Sequence, residues 1–418
     1  MWSRKTLVFT VLVGSLFGQS IFHSYGVGLP RPIAHVSTIG LGNIGLVPTF
    51  REGVSLDNPA TWSNLKYTYL NGSFRNLNVT EQISNTLNQA TGLSSALFVV
   101  PIKGKYAFGL SITPVTDQQV FLQEDSTIFQ FGPDSVIHQK SARSGGGVSA
   151  FSFAFSFPFE QNSEAGIKVD YLFGSARNEF SLRVNDIEYR QFYRMAYSGL
   201  TINSYLNTYI LRKVNYQARF FTSVATTIRP LEANVYSFQP YEDSNGNYYY
   251  DNTDYPRSLS IDSSVVKSVY SPNVVNLGVD VAYQTDYHFI LEYQHWADQA
   301  TNAKDLSIFG DYIKQINRYE MGLVKFPPRR PREWYQKLIY RVGINRSIFR
   351  LEQNGRYLNE NGLSIGIGFK FGSAGNQIDL AYKFGSRSLA TDHKEAIQEL
   401  AIEISLGDVW FSKRRERK

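Results

Sequence analysis

The chain has no cysteine, three methionines and six scattered histidines in 418 residues. Without thiols there is no disulfide framework, no thiolate metal site and no cysteine nucleophile. Beyond the first 20 residues there is no run of about 20 apolar residues, the length a spanning helix needs. His288 and His295 lie seven apart, so on one strand they face opposite sides and cannot share a metal. Hydrolysis would need a Ser, a His and an orienting polar group assembled from separate strands. No enzymatic activity is expected.

What the chain has in quantity is aromatic and β-forming: 27 Tyr, 29 Phe and 32 Gly. The formal charge of +6 is modest, and much of the excess sits in the tail Lys413, Arg414, Arg415, Arg417, Lys418. It gives no argument for a nucleic-acid surface. Residues 1–20 read as a signal peptide: Arg4 and Lys5, a short apolar core from Thr6 to Phe17, then Gly18-Gln19-Ser20. An exported chain without a long apolar helix spans a membrane only with strands.

Residues 21–62 are irregular and contain Gly40-Leu-Gly42-Asn-Ile-Gly45, a literal GxGxxG. A dinucleotide site needs that motif between a strand and a helix. Pro48 stands where the helix would run, so the glycines read as tight backbone packing. Thereafter fourteen strand-like stretches follow at 64–74, 93–102, 106–115, 148–157, 166–175, 200–210, 215–238, 273–283, 287–297, 315–326, 334–350, 362–371, 376–386 and 398–411. Between the first two, Thr80 is placed to cap a short amphipathic helix with Ile83 and Leu87.

Connections alternate long and short. In an up-and-down barrel that sorts all short turns to one side, as in outer-membrane barrels with short periplasmic turns. The fold expected is all-β: a transmembrane antiparallel barrel of about fourteen strands. The barrel spans 63–411, with 412–418 as a basic periplasmic tail.

Charge placement agrees. In the last strand Leu400, Ile402, Ile404 and Leu406 share one face, and Glu399 and Glu403 the other. A Lys or Arg facing the bilayer midplane costs about 2–4 kcal/mol. Charges opposite the apolar face avoid that cost. The expected lumenal residues are Lys168, Asp170, Asp280, Glu292, Glu320, Lys337, Arg341, Lys370, Asp379, Lys383, Glu399 and Glu403, mostly as structural ion pairs. Trp296, Trp334, Tyr335, Trp410, Phe411 and the 151–159 run supply interfacial aromatics. In the loop at 239–272, Asp243, Asn245, Asn247, Asp251 and Asp254 alternate in the manner of a calcium loop. Its Gly246 falls at position four rather than six, and its last ligand is Asp rather than Glu.

With Asn58-Pro59-Ala60 before the first strand, Val99-Val-Pro-Ile102 leading into Tyr106-Ala-Phe-Gly-Leu110, Val169-Asp-Tyr-Leu-Phe-Gly-Ser175 and the ending Gly407-Asp-Val-Trp-Phe411, the chain resembles the FadL-type outer-membrane transporters. Within them it is similar to a divergent, Bacteroidetes-like branch. The resemblance implies an N-terminal hatch over 21–62 inside the lumen, with Asn58, Pro59 and Ala60 at its tip. It implies passive uptake of hydrophobic small molecules such as long-chain fatty acids, in the outer membrane of a Gram-negative cell. The partners expected are outer-membrane lipid, hydrophobic cargo and the barrel-assembly machinery, with the protein a monomer. A structural or secretion-associated barrel without cargo and a general porin are the alternatives.

Overall fold

A computed structural model describes residues 20–31, 35–81, 87–102, 106–131, 134–284, 286–308, 310–328, 330–372, 375–389 and 393–409. Residues 1–19 of the expected signal peptide, residues 103–105, Ile83, Trp410, Phe411 and the basic tail lie outside them. Fourteen antiparallel strands close into one barrel. In chain order they are β1 (Thr68–Glu81), β2 (Leu87–Ile102), β3 (Tyr106–Pro114), β4 (Asp134–Glu160), β5 (Ser163–Val184), β6 (Ile187–Arg212) and β7 (Tyr216–Phe238). Then come β8 (Pro272–Tyr283), β9 (Tyr287–Asp298), β10 (Ile313–Lys325), β11 (Leu338–Leu351), β12 (Tyr357–Phe371), β13 (Asn376–Leu389) and β14 (His393–Asp408).

The ring closes where β14 pairs with β1, with Leu70 opposite Leu406 and Phe74 opposite Ile402. Alternation explains the two faces. Leu400, Ile402, Ile404 and Leu406 are exposed on the outside, while Glu399, Ala401, Glu403 and Ser405 are buried inside. On β4, Phe151, Phe153, Phe155 and Phe159 all face out. A band of exposed apolar side chains around the whole ring belongs in lipid.

The strands run further outward than the apolar pattern predicts. β5 and β6 are joined by only Asn185 and Asp186, where the sequence suggests a long polar connection. Above the membrane neither face meets lipid, so the alternation fades while the backbone ladder continues to satisfy N–H and C=O groups. The expected helix cap at Thr80 is overturned for the same reason: Thr80 is in β1, paired with Leu87 of β2. Two aromatic expectations also divide. Trp334 is 72% exposed on the short turn Trp334–Lys337 before β11. Trp296 is 6% exposed and faces inward, where it packs against Tyr270.

At the outer end of β3 the chain leaves the wall. Thr116–Asp117 turns into the lumen and pairs with Leu29–Pro30. Val115 and Gln118 stay bonded to β4 through the carbonyls of Val148 and Gly146. On the other side, β2 pairs with β3 only up to Ala96–Ile112. Beyond it, among the described residues, the β2 edge has no strand partner there, and Thr91, Gly92 and Leu93 are exposed.

Candidate functional site

The lumen is the candidate site, and the segment before β1 fills it. It enters from the outer end: the Ser20 hydroxyl donates to Glu395 at 2.7 Å. It leaves at the inner end, where Arg51 bonds the carbonyl of Gly375 and the hydroxyl of Tyr69. Between these points almost every residue from 35 to 50 is buried.

Glycines on both partners explain how backbone fits against wall. A Cβ on Gly343 of β11 would lie 2.1 Å from the carbonyl carbon of Leu41, and one on Gly366 of β12 would lie 2.9 Å from Gly40 Cα. Gly322 receives Leu41, Gly278 receives Val47, and Gly166 receives Ala60. Gly42 takes φ +79°, open to glycine without cost, and lies against Ile344. The GxGxxG run is therefore a close-packing surface, as its context in the sequence suggests. Asn58 ties the segment internally: its amide donates to the Leu46 carbonyl at 2.7 Å and its carbonyl accepts from Ala60 N–H at 3.0 Å.

The expected lumenal charges are mostly where alternation puts them, and many hold the segment directly. Glu292 accepts N–H groups from Gly45 and Leu46 at 3.1 and 3.0 Å. Glu403 accepts Val36 N–H at 2.9 Å and faces His35 at 3.2 Å. Arg341 pairs with Asp379 at 2.6 Å and donates to the carbonyls of Thr49 and Phe50. Others join wall strands, Lys383 to Glu360 at 3.0 Å and Glu399 to Arg75 at 3.4 Å, while Lys168 pairs with Asp170 along β5 at 3.6 Å. Asp280 lies between Arg219 and His288, each at 2.7 Å. Glu320 is buried inside and Lys370 is half-buried on the same inward face. Lys337 is the exception. It lies on the exposed turn before β11, because the strand starts at Leu338 rather than at residue 334.

Residues not foreseen complete the network. Arg387 bridges Glu360 and Glu395 at 2.8 and 3.5 Å. All three lie on strand extensions beyond the expected boundaries. Arg219 and Arg318 fell within expected strands, and their alternation with the outward-facing Ala218, Phe220 and Tyr319 is the signal that identifies them.

His35 also lies 3.3 Å from the Ser95 hydroxyl, which raises the hydrolytic arrangement. Ser95 and Glu403 both meet Nδ1, while Nε2 faces Asp57 at 3.8 Å. Asp57 is beyond hydrogen-bond reach of Nε2, and Glu403 also accepts the Val36 N–H, so the cluster clamps the segment to the wall.

Two cavities matter. One, of about 240 Å³, lies in the lumen behind the inward turn of β3 and includes Arg31, His35, Asp57, Lys168, Glu292 and Arg318 in its lining. The other, of about 600 Å³, lies between the strand extensions and the outer loops; Leu122, Ala142, Phe180, Leu182, Tyr189 and Ile308 give it an apolar lining.

In the 243–254 loop each carboxylate is engaged by donors. Asp243 pairs with Arg190 at 3.0 Å, Asp254 accepts N–H groups from Ser244 and Asp251, and Asp251 accepts from Asn245, Asn247 and Thr253. The Thr253 hydroxyl and N–H hold the Asp251 carboxyl down to about 2. Among the described residues no group of three or more acidic or histidine side chains is arranged around a metal position.

Closed fourteen-strand wall, lipid-facing band and filled lumen define an outer-membrane barrel of the FadL-like fold. The chain belongs to the BamG family, whose model matches residues 4–416. Solved structures agree on the fold. The Ralstonia pickettii toluene transporter TbuX is similar with TM-score 0.57 at 11% identity, covering 89% of this chain and 97% of that one. The CymD monoaromatic hydrocarbon channel gives 0.55 at 11%, covering 90% and 98%. A Pseudomonas aeruginosa FadL homologue gives 0.53 at 11%, also covering 90% and 98%. No curated protein sequence matches the chain.

Proposed function

We propose that this chain serves the barrel-assembly machinery of a Gram-negative outer membrane as a plugged, non-catalytic barrel. The family name hints at that machinery, and the match runs over nearly the whole chain. The observation that carries the reading is the state of the lumen. Carboxylates and arginines of β9, β11 and β14 grip the N-terminal segment, and the lumenal cavity of about 240 Å³ beside it has charged walls. Such a lumen is a poor path for apolar cargo, because each buried charge loses hydration if its partner is displaced by hydrocarbon. The working surfaces are then the outer wall and the two ends. The test is purification of the tagged full chain from native membranes in mild detergent. The core assembly barrel is expected to co-purify in fixed ratio, and depletion is expected to lower other outer-membrane barrels. Free monomer with no effect of depletion would reject the reading.

A second reading, passive uptake of hydrophobic, fatty-acid-like molecules, is favoured by the apolar outer pocket and the open β2 edge beside the inward turn of β3. The segment over 21–62 is then a hatch with Asn58, Pro59 and Ala60 near its inner tip. Uptake of a labelled fatty acid by cells with and without the protein separates the two. Calcium in the 243–254 loop remains a proposal, checked by calorimetric titration of the purified chain.

A further inference from the structure

On the outward face of the barrel, three neighbouring strands carry a cluster of cations directly above the lipid-facing band. On β4, β5 and β6 the last apolar row is Phe151, Tyr171 and Leu200, with Phe173 one step higher. Four residues above Phe173 on β5 stands Arg177. Its direct partners are Arg194 on β6 and Gly145 on β4. Four residues of strand rise about 13 Å, and strand tilt of about 40° reduces that to about 10 Å along the membrane normal. That is the headgroup layer, since it lies just outside a hydrocarbon core of about 30 Å.

Arg177 and Arg194 are thus like charges directly opposite on one face, a pairing that destabilises a sheet unless an anion intervenes. Arg143 stands one row higher on β4, exposed, and among the described residues its side chain has no hydrogen bond or ion pair. The local carboxylate, Glu179, is 3.3 Å from Arg177 but is shared with Arg190 at 2.5 Å. Arg194 likewise has no ion pair among the described residues. The guanidiniums of Arg177 and Arg194 are held over the Phe192 ring at 4.7 and 5.7 Å, and that ring is stacked on Phe238. Gly145 leaves a floor: a Cβ there would meet nothing within 4 Å. Arg143, Gly145, Arg177 and Phe121 line part of a cleft of about 480 Å³.

We infer that Arg143, Arg177 and Arg194 bind the phosphate group of an anionic lipid of the outer leaflet, with its acyl chains lying along Phe151, Tyr171 and Phe173. Arginine suits this role because its planar fork meets phosphate oxygens in pairs. The site stands independently of the assembly role and requires only that the barrel sits in an outer membrane. The test uses the full chain, extracted from native membranes into nanodiscs and examined by native mass spectrometry. Wild-type protein is expected to retain phosphorylated lipid, and R177Q/R194Q to retain at least tenfold less. R177K/R194K, which keeps the charge, is expected to restore most retention, and unchanged heat-modifiable migration of each variant shows that the barrel has folded. Equal retention by wild type and R177Q/R194Q would overturn the inference. So would displacement of the lipid by millimolar inorganic phosphate, which would assign the site to the free ion.

Discussion

Arg341 of β11 and Asp379 of β13 are 2.6 Å apart although β12 lies between them. The contact crosses β12 at Gly368, where a Cβ would come within 2.4 Å of the Asp379 carboxylate and 3.2 Å of the Arg341 guanidinium. Arg341 then spends its other N–H groups on Thr49 and Phe50 of the N-terminal segment. One arginine joins wall to wall and wall to plug. Removing one partner of a buried pair leaves an uncompensated charge and costs about 3–5 kcal/mol. Arg341→Met is expected to lower the denaturation temperature on heat-modifiable gels and to expose the segment near Phe50 to protease. D379N leaves the buried Arg341 cation without its counter-ion, which the Gln377 amide donor at 2.7 Å cannot replace, and is expected to lower the temperature as well. Equal resistance of Arg341→Met and wild type would remove the arginine from the set of anchors.

The glycine contacts give a sharper steric prediction. Gly343→Val puts atoms where Leu41 and Gly42 now lie. The wall strand has its full ladder on both sides, so the plug is what gives way. Single-channel recording is expected to show openings for G343V and none for wild type. Gly72→Val, on the outward face with open space around it, is the matched control and is expected to stay silent.

Fourteen strands, their order and their two faces were legible in the chain, because period-two alternation against lipid is enforced along every spanning stretch. The closing strand at 398–411 and its pairing with the first were foreseen on that basis. Legibility ended where lipid ends. β5 and β6 rise past the membrane with polar residues on both faces, and nothing in Asn178, Glu179 or Arg190 distinguishes ladder from loop. Arg387, Glu360 and Glu395 were missed on the same ground. The fit of Gly40 against Gly366 was beyond reach for another reason: it joins residues 326 apart, and only the folded register brings them together.

Asp251 makes a pH prediction of definite sign. Its carboxyl is held down to about 2 by the Thr253 hydroxyl and N–H, with Asn245 and Asn247 adding further donors. A depressed carboxylate stabilises the folded loop above the ordinary Asp value of about 3.9, and that contribution is lost as pH falls toward 2. Hydrogen exchange at Thr253 is therefore expected to stay protected, after correction for intrinsic rates, down to about pH 4 and to lose protection below it. T253A is expected to move that loss to higher pH. Protection unchanged between pH 5 and pH 2 would show that the carboxylate does not order the loop.

Glu360 supports the last prediction because it holds two cations at once, Lys383 at 3.0 Å and Arg387 at 2.8 Å, both on β13. Glu360→Gln keeps the shape and removes the charge, leaving two buried cations with only Glu395 beside Arg387. Unpaired buried charge costs about 3–5 kcal/mol, so the outer half of β12–β13 should open before the rest. Glu395 also accepts the Ser20 hydroxyl, so the loss is expected to reach the start of the N-terminal segment. Hydrogen exchange is expected to quicken over residues 20–31 and 383–389 in E360Q, with the β8–β9 pair unchanged as an internal reference. A second change, Lys383→Met, removes one of the orphaned cations and is expected to recover part of the loss. Failure of K383M to recover protection would mean that Glu360 acts through packing rather than charge.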